Sequence, residues 1–309
     1  MLAALAAAAI AVFVTTSGPP PPLKSPPPGT FSFAALGDSP YYPWEELRFR
    51  TVLADLDQHD LGAVIHVGDV FWRPCTDDHY RKAFARLDRL RHPVVFTPGD
   101  NEWTDCWEPG SGAFVPLERL ERLRQIFFAR PPALARLQRQ NGFVENVRWE
   151  QQDVVFAAVH VLGSSNGRQA FPGRTPADDR AAHARITAAS EWTREAFREA
   201  SSRNATAVVI AFHAGVSLEQ PRGHRRRVPY EPFIEALESE VARFGRPVLL
   251  VHGDHHEYRV DHPVARLPNL TRLEVPGSPQ VGWVRVAVTP GAAQPFACTS
   301  RVVPPWKVW

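Results

Sequence analysis

Residues 31–38 read FSFAALGD, an apolar run closed by the pair Gly37-Asp38, and that ending occurs three more times. GAVIHVGD (62–69) ends at Gly68-Asp69, HPVVFTPGD (92–100) at Gly99-Asp100 and RPVLLVHGD (246–254) at Gly253-Asp254, the first three aspartates at equal intervals. A short apolar run bounded by glycine reads as a buried strand, so each aspartate falls just past a strand end, at the rim of a sheet. Four carboxylates converging there repel one another unless a cation sits among them, and a metal ion supplies that charge most simply.

Outward from these runs, 44–59 carries Leu47, Val52, Leu53 and Leu56 at helical spacing, and 79–91 does so with Phe84, Leu87 and Leu90. The order strand, helix, strand, helix, strand requires crossover connections and parallel strands. Further on, a helix is predicted over 116–128, a hairpin from 143–149 and 154–162, and a long helix over 180–200. A strand over 207–212 ends at His213, a helix covers 231–244, and strands are predicted at 247–251, 270–275 and 281–288. The fold class is α/β: two mixed β-sheets packed face to face with helices on the outer faces, one domain over 31–309.

The 309 residues, 44% hydrophobic and 22% charged, suffice for a large core. Of the 35 basic residues only Lys24, Lys82 and Lys307 are lysine, and a net charge of +2 gives no concentrated footprint for nucleic acid. The one dense basic run, Arg222 with His224 to Arg227, reads as a solvated loop, with an anion-facing flap as the sharper alternative. Residues 2–14, LAALAAAAIAVFV, are too short to span a bilayer but suit the core of a signal peptide; 1–17 is a signal peptide or a retained N-terminal anchor. Proline-rich 18–30 follows as an extended linker. The expected location is secreted or periplasmic, with a membrane tether as the variant. Cys75 and Cys106 each lie six residues past a Gly-Asp aspartate. If those strands are neighbours the thiols meet as a disulfide, the alternative being two buried thiols.

The candidate metal ligands are Asp38, Asp69, Asp100, His213, Asp254 and His256, each at or just after a strand end. In 253–256 an extended backbone would turn Asp254 and His256 one way and His255 the other. A lone strand-end aspartate is more often a helix cap or turn former, but four with a strand-end histidine make a set. His66, His160 and His252, inside apolar runs, read as core histidines; Asp105 and Asp261 as outer partners that orient ligands. Ser164, Ser165 and Asn166 suit a turn or a substrate loop. Trp44, Trp72, Trp103 and Trp107 lie near the motifs, as walls of the site or as packing.

In this order, Gly37-Asp38-Ser39-Pro40, Gly68-Asp69, Gly99-Asp100-Asn101-Glu102, Phe212-His213 and Gly253-Asp254-His255-His256 resemble the motifs of the calcineurin-like metallophosphoesterases, from Phe31 to about Pro263. ALGDSPYY and TPGDNEWTDC are similar to a divergent subgroup of that superfamily. The resemblance implies one ion on Asp38, Asp69 and His256 and a second on Asp69, Asp100, His213 and Asp254, with Asp69 shared. It implies phosphoester hydrolysis by a metal-activated hydroxide.

The departures are chemical. Pro40 stands where the family places a second ligand, and Tyr41 or Tyr42 is the nearby replacement donor. Trp72 stands where the purple acid phosphatases carry a tyrosine. Asp100 and Asp254 replace neutral ligands, so four carboxylates cancel two divalent ions and weaken both anion attraction and Lewis acidity. Oxygen-rich ligation shifts preference from zinc and iron toward manganese, magnesium or calcium, with one or two ions. Asn101 stands at the position of the histidine that assists the leaving group and has no proton to give; Glu102 and His255 are the weak candidates for a substitute acid, Glu102 reading better as a salt-bridge or helix-cap carboxylate.

The expected function is therefore an exported metal-dependent phosphoesterase acting on a small-molecule or surface phosphomonoester or phosphodiester. The alternative is a catalytically degenerate secreted metal- or ligand-binding module on the same fold. A serine hydrolase on a different α/β fold is a third, disfavoured reading.

Overall fold

The structure, a computed structural model, describes residues 15–16, 23–24, 27–303 and 307–308. The predicted segment 2–14 lies outside the described residues. Among those described, no helix is long and apolar enough to cross a membrane. Of the proline-rich linker, Leu23 packs against the core and the Lys24 carbonyl accepts from Arg285 Nη1 at 2.7 Å, so this part lies on the domain.

The first half runs β1 (Phe31–Leu36), α1 (Glu46–Leu56), β2 (Val64–His66), α2 (Asp77–Leu87), β3 (Val94–Phe96) and α3 (Pro116–Phe127). The strands β1, β2 and β3 pair in parallel. The second half holds β4 (Gln138–Gln140), β5 (Phe143–Gln151), β6 (Val154–Ala158), α4 (Pro176–Ser202), β7 (Ala207–Ala211), α5 (Glu231–Phe244), β8 (Val248–His252), β9 (Arg259–Asp261) and β10 (Leu270–Glu274). A closing hairpin of β11 (Val281–Val288) and β12 (Phe296–Val303) returns to pair antiparallel with β1. One sheet has the order β12-β11-β1-β2-β3, the other β9-β10-β8-β7-β6-β5-β4. The short pair Thr15–Thr16 and Lys307–Val308 stands apart.

Side chains alternate across each strand, and the runs are apolar on both faces because both faces are covered. Phe33, Ala35 and Ile65 meet Phe156, Val209, Leu249 and Val284 between the sheets. The opposite faces pack Leu36 and Val64 on Phe49 and Val52 of α1, and Val208 and Ile210 on Phe197 of α4 and Phe233 of α5. The result is the expected α/β/β/α sandwich.

Helix boundaries follow local chemistry. Thr76 Oγ1 accepts the His79 N–H at 3.3 Å ahead of α2, whose first turn holds Asp77 and Asp78 against the positive helix end. Gly245, at φ 65°, ends α5 in the left-handed conformation that glycine adopts without a Cβ clash. Because β2 and β3 are neighbours in parallel, the loops beyond them run side by side, and Cys75 and Cys106 form a disulfide with Cα atoms 5.7 Å apart.

Candidate metal centre

The C-terminal ends of β1, β2 and β3 deliver Asp38, Asp69 and Asp100, and the facing ends of β7 and β8 deliver His213, Asp254 and His256. The backbone turns sharply at several of these residues: φ is 52° at Asp38, 53° at Asp69, 80° at Asp254 and 65° at His256. Aspartate tolerates this left-handed region better than most residues. Segment 253–256 is thus not an extended strand, yet Asp254 and His256 line the cleft while His255 is half-exposed, its Nδ1 3.3 Å from Glu274 Oε1. The glycines of the motifs make room. A Cβ on Gly99 would meet Asp69 Oδ1 at 2.0 Å, and one on Gly253 would meet Asp38 Oδ2 at the same distance.

His213 is the hub. Its Nε2 lies 3.0 Å from Asp100 Oδ1, 3.6 Å from Asp69 Oδ1 and 3.7 Å from Asp254 Oδ1. A carbonyl can only accept, so the 2.8 Å contact with Val67 O fixes a proton on Nδ1 and leaves Nε2 to the carboxylates. His256 repeats the arrangement, with Nδ1 donating to Ser278 O at 2.7 Å and Nε2 facing Asp38 Oδ1 at 3.7 Å. Such main-chain anchoring of the far nitrogen is how ligating histidines are oriented.

Two compact sets could each hold an ion: Asp38, Asp69 and His213, and Asp100, His213 and Asp254. His213 therefore belongs to both, whereas the family resemblance implies a place in the second alone, and His256 reaches the first set beside Tyr41. The Tyr41 hydroxyl donates to Asp69 Oδ2 at 2.7 Å and lies 3.3 Å from His256 Nε2, so of the two tyrosines after Pro40 it is Tyr41 that enters the cluster.

The electrostatics ask for positive charge. Burial, reinforced by Asp254 and Asp100 and opposed by His213, pushes the Asp38 carboxyl up to about 8. Burial likewise raises Asp69 and Asp254. Burial disfavours the His213 cation, but Asp69, Asp100, Asp38 and Asp254 outweigh it and hold its pKa well above the ordinary histidine value. Burial opposes ionisation of Asp100 too, yet hydrogen bonds from His213 and Ser164 keep it below the usual carboxylate value. Asp38 Oδ2 is buried and has no hydrogen-bond partner. Among the described residues, no lysine or arginine lines the cleft. A buried, unpartnered carboxylate oxygen among oxygen donors and two Nε2 atoms fits a divalent cation.

Several residues turn out to serve other ends. Glu102 is fully buried, its oxygens accepting the N–H groups of Val70 and Gly99; it ties the second and third loops together instead of facing the cleft as an acid. Asp261 pairs with Arg272 through two hydrogen bonds, of 2.8 and 2.6 Å, away from the ligands, whereas Asp105 does reach them through Ser164. In the basic run, Arg227 is buried against the Leu218 and Gln220 carbonyls and Glu231, and none of the run lines the cleft, so it is no flap. His66, His160 and His252 are buried, and burial lowers them to about 3, 4 and 4. Trp72 walls the cleft, Trp44 is exposed and stacked on Tyr42, Trp103 is core, and Trp107 stacks on Phe171.

Ser164 was legible only as part of a turn or loop. Ser164, Ser165 and Asn166 form a left-handed turn, with φ of 50°, 54° and 58°, each residue costing roughly 1–2 kcal/mol in that region. Ser164 Oγ lies 2.5 Å from Asp100 Oδ2 and 2.9 Å from both oxygens of Asp105. One hydroxyl hydrogen cannot serve both carboxylates, and burial lifts Asp105 to about 7, with Asp100 adding to the effect. A protonated Asp105 donating to Ser164, which donates to Asp100, satisfies all three groups.

Together Tyr41, Tyr42, Asp69, Trp72, Asn101 and Asp254 wall an open cleft of about 500 Å³.

A family model described as calcineurin-like phosphoesterase matches residues 31–258. No curated protein matches the chain. Among solved structures, a 5'-nucleotidase from Candida albicans SC5314 matches with a TM-score of 0.49 at 12% identity, covering 87% of this chain; the chain spans only 50% of that protein. A novel phosphatase from Mycoplasma pneumoniae gives 0.46 at 12% identity, over 88% of this chain and 94% of its own. TT1561 of Thermus thermophilus gives 0.44 at 12% identity, over 87% of this chain and 98% of its own.

Proposed function

This chain belongs to the calcineurin-like phosphoesterase family, and from that premise we propose that it is an exported, metal-dependent hydrolase of phosphomonoesters or phosphodiesters. The observation that carries the reading is the buried, unpartnered Asp38 Oδ2 within a cluster of four aspartates and two main-chain-anchored histidines. Asp38, Asp69, Asp100, His213, Asp254 and His256 would hold one or two ions; a bound divalent ion supplies Lewis acidity and charge neutralisation at a phosphoryl oxygen.

The chain's own groups orient and donate. Asn101 N–H donates to Asp69 Oδ1 at 3.1 Å, and its residue lines the cleft, where the amide can hydrogen-bond a phosphoryl oxygen. Burial, with Asp69 and Asp38, raises the Tyr41 phenol well above its ordinary value, so it stays protonated and holds Asp69 in place. Glu102 and His255 take no part as acids. Esters with leaving groups that depart without a strong proton donor, aryl esters above all, suit this site. The Cys75–Cys106 disulfide supports an oxidising compartment, in keeping with a signal peptide or anchor over 1–17.

The test is metal analysis of the purified domain with assays of aryl phosphate mono- and diesters in manganese; a folded, metal-loaded protein that turns over neither would sink the enzymatic reading. The second reading, a binding module with a degenerate site, is favoured by Pro40, Trp72 and Asn101. It requires metal-dependent stabilisation without turnover.

A further inference from the structure

Resting on the phosphoesterase reading, we propose that the groove between α1 and α2 is a second anion-binding subsite, which receives a further phosphate group carried by the substrate. The groove encloses about 850 Å³, and Tyr41 and Tyr42 line both it and the metal cleft, so the two cavities share a wall. Five cationic side chains line it: Arg50 from α1, Arg73 from the loop after β2, and Lys82, Arg86 and Arg89 from α2 and its end.

Their charges are unequally compensated. Arg86 is paired with Glu46, and Lys82 with Asp78 at 2.6 Å. Asp57, the other carboxylate of the groove, accepts the Arg91 N–H at 3.2 Å and lies 3.9 Å from His92 Nε2. Among the described residues, Arg50, Arg73 and Arg89 pair with no carboxylate, and all three are exposed. Arg73 is held at the boundary of the two cavities by stacking, its guanidinium carbon 3.8 Å from the ring centre of Trp72, which itself walls the metal cleft.

Charge arithmetic gives this groove its purpose. Four carboxylates cancel two divalent ions, so the metal cleft retains little net attraction for an anion, and among the described residues no lysine or arginine lines it. Three uncompensated guanidiniums next door supply what the cleft lacks, and guanidinium binds phosphate through paired, charge-assisted hydrogen bonds. The ligand class is a phosphoester with a second phosphate: one group is presented to the metal cleft, the other is held by Arg50, Arg73 and Arg89.

The binding test uses the full chain stripped of metal with chelator, then dialysed and titrated with inorganic pyrophosphate. In that state the cleft holds no metal charge to attract an anion, so binding reports on the groove. The expected result is salt-sensitive binding that falls about 10-fold or more in Arg50→Gln/Arg89→Gln, the scale of losing two charge-assisted hydrogen bonds. Equal binding by wild type and variant, or no binding by either, overturns the proposal. With the manganese-loaded enzyme, the variant should raise KM for a bisphosphate ester about 10-fold while leaving kcat, and KM for an aryl monophosphate, unchanged. Equal KM changes for both substrates would reduce the arginines to a general surface charge and overturn it too. Arginine-dependent pyrophosphate binding without turnover of any ester would instead remove the phosphoesterase reading and leave the subsite standing.

Discussion

The phenol of Tyr41 and the carboxylate of Asp69 are joined by a 2.7 Å hydrogen bond, which places a hydroxyl beside His256 where the neighbouring Pro40 offers no donor atom. Tyr41→Phe removes that hydroxyl and frees Asp69 Oδ2 to rotate. Metal affinity should fall about 10-fold or more, as for loss of a partner that orients a ligand, with the fold intact. Calorimetric titration of manganese into the variant checks this; unchanged affinity would leave Tyr41 as packing alone.

Asp69 stands in the first carboxylate set and touches His213 and Tyr41. Asp69→Asn should abolish turnover and the metal-dependent rise in melting temperature, which for a ligand at 1,000 times its Kd corresponds to about 4 kcal/mol. Without metal the variant should melt at or above the wild type, because a buried carboxylate among carboxylates is replaced by a neutral amide. A variant that melts far below wild type in chelator would mean that Asp69 serves the fold.

His160 gives a pH signature independent of the metal. It is buried between Trp103, whose Nε1 donates to its Nε2 at 3.3 Å, and Glu145, 3.3 Å from its Nδ1. Burial lowers it to about 4, against roughly 6.5 in an unfolded chain. The folded value is the lower one, so its contribution is fully present above pH 6.5 and is lost as pH falls toward 4, at up to ~1.4 kcal/mol per unit. His66 and His252 act with the same sign. The measurement is therefore a difference: urea unfolding of wild type and His160→Gln at pH 7.5 and pH 5, with the gap between them narrowing at the lower pH.

The Cys75–Cys106 bridge closes a segment with a sequence separation of 31 residues, and both sulfurs lie near the carbonyl of Asn101, at 3.4 and 3.7 Å. Cys75→Ser/Cys106→Ser should lower stability by about 4 kcal/mol, on the chain-entropy estimate for a loop of this size. Because the Asn101 carbonyl follows directly on Asp100, metal affinity should fall as well. Denaturant melts and metal titration of the double variant test the two effects separately.

The parts of the fold that were legible are those where local chemistry and burial agree. The runs ending at Asp38, Asp69, Asp100 and Asp254 are apolar on both faces because each strand is sandwiched, and α5 is bounded by Gly245. The strand β12 was missed: along a sheet edge, FACTSRVV alternates half-buried with exposed residues over 296–300 and then half-buried with buried ones, and it has no continuous apolar run. The same holds for the short β4 and β9. At the site, strand-end position sufficed to bring the six candidates to one cluster, but the roles of their neighbours depend on loop conformation. The choice of Tyr41 over Tyr42, the burial of Glu102 under two loops and the left-handed turn that aims Ser164 at Asp100 carry no periodicity that a sequence displays.

Asp38, Asp69 and Asp100 hang from one sheet, and His213, Asp254 and His256 from the other. If these residues hold the ion as proposed, neither half of the chain supplies the whole set, so ion capture has to follow the docking of the two sheets. If the chain is exported unfolded, it leaves the cytosol empty, and the ion it carries reports the metal supply outside the cell instead of the one within.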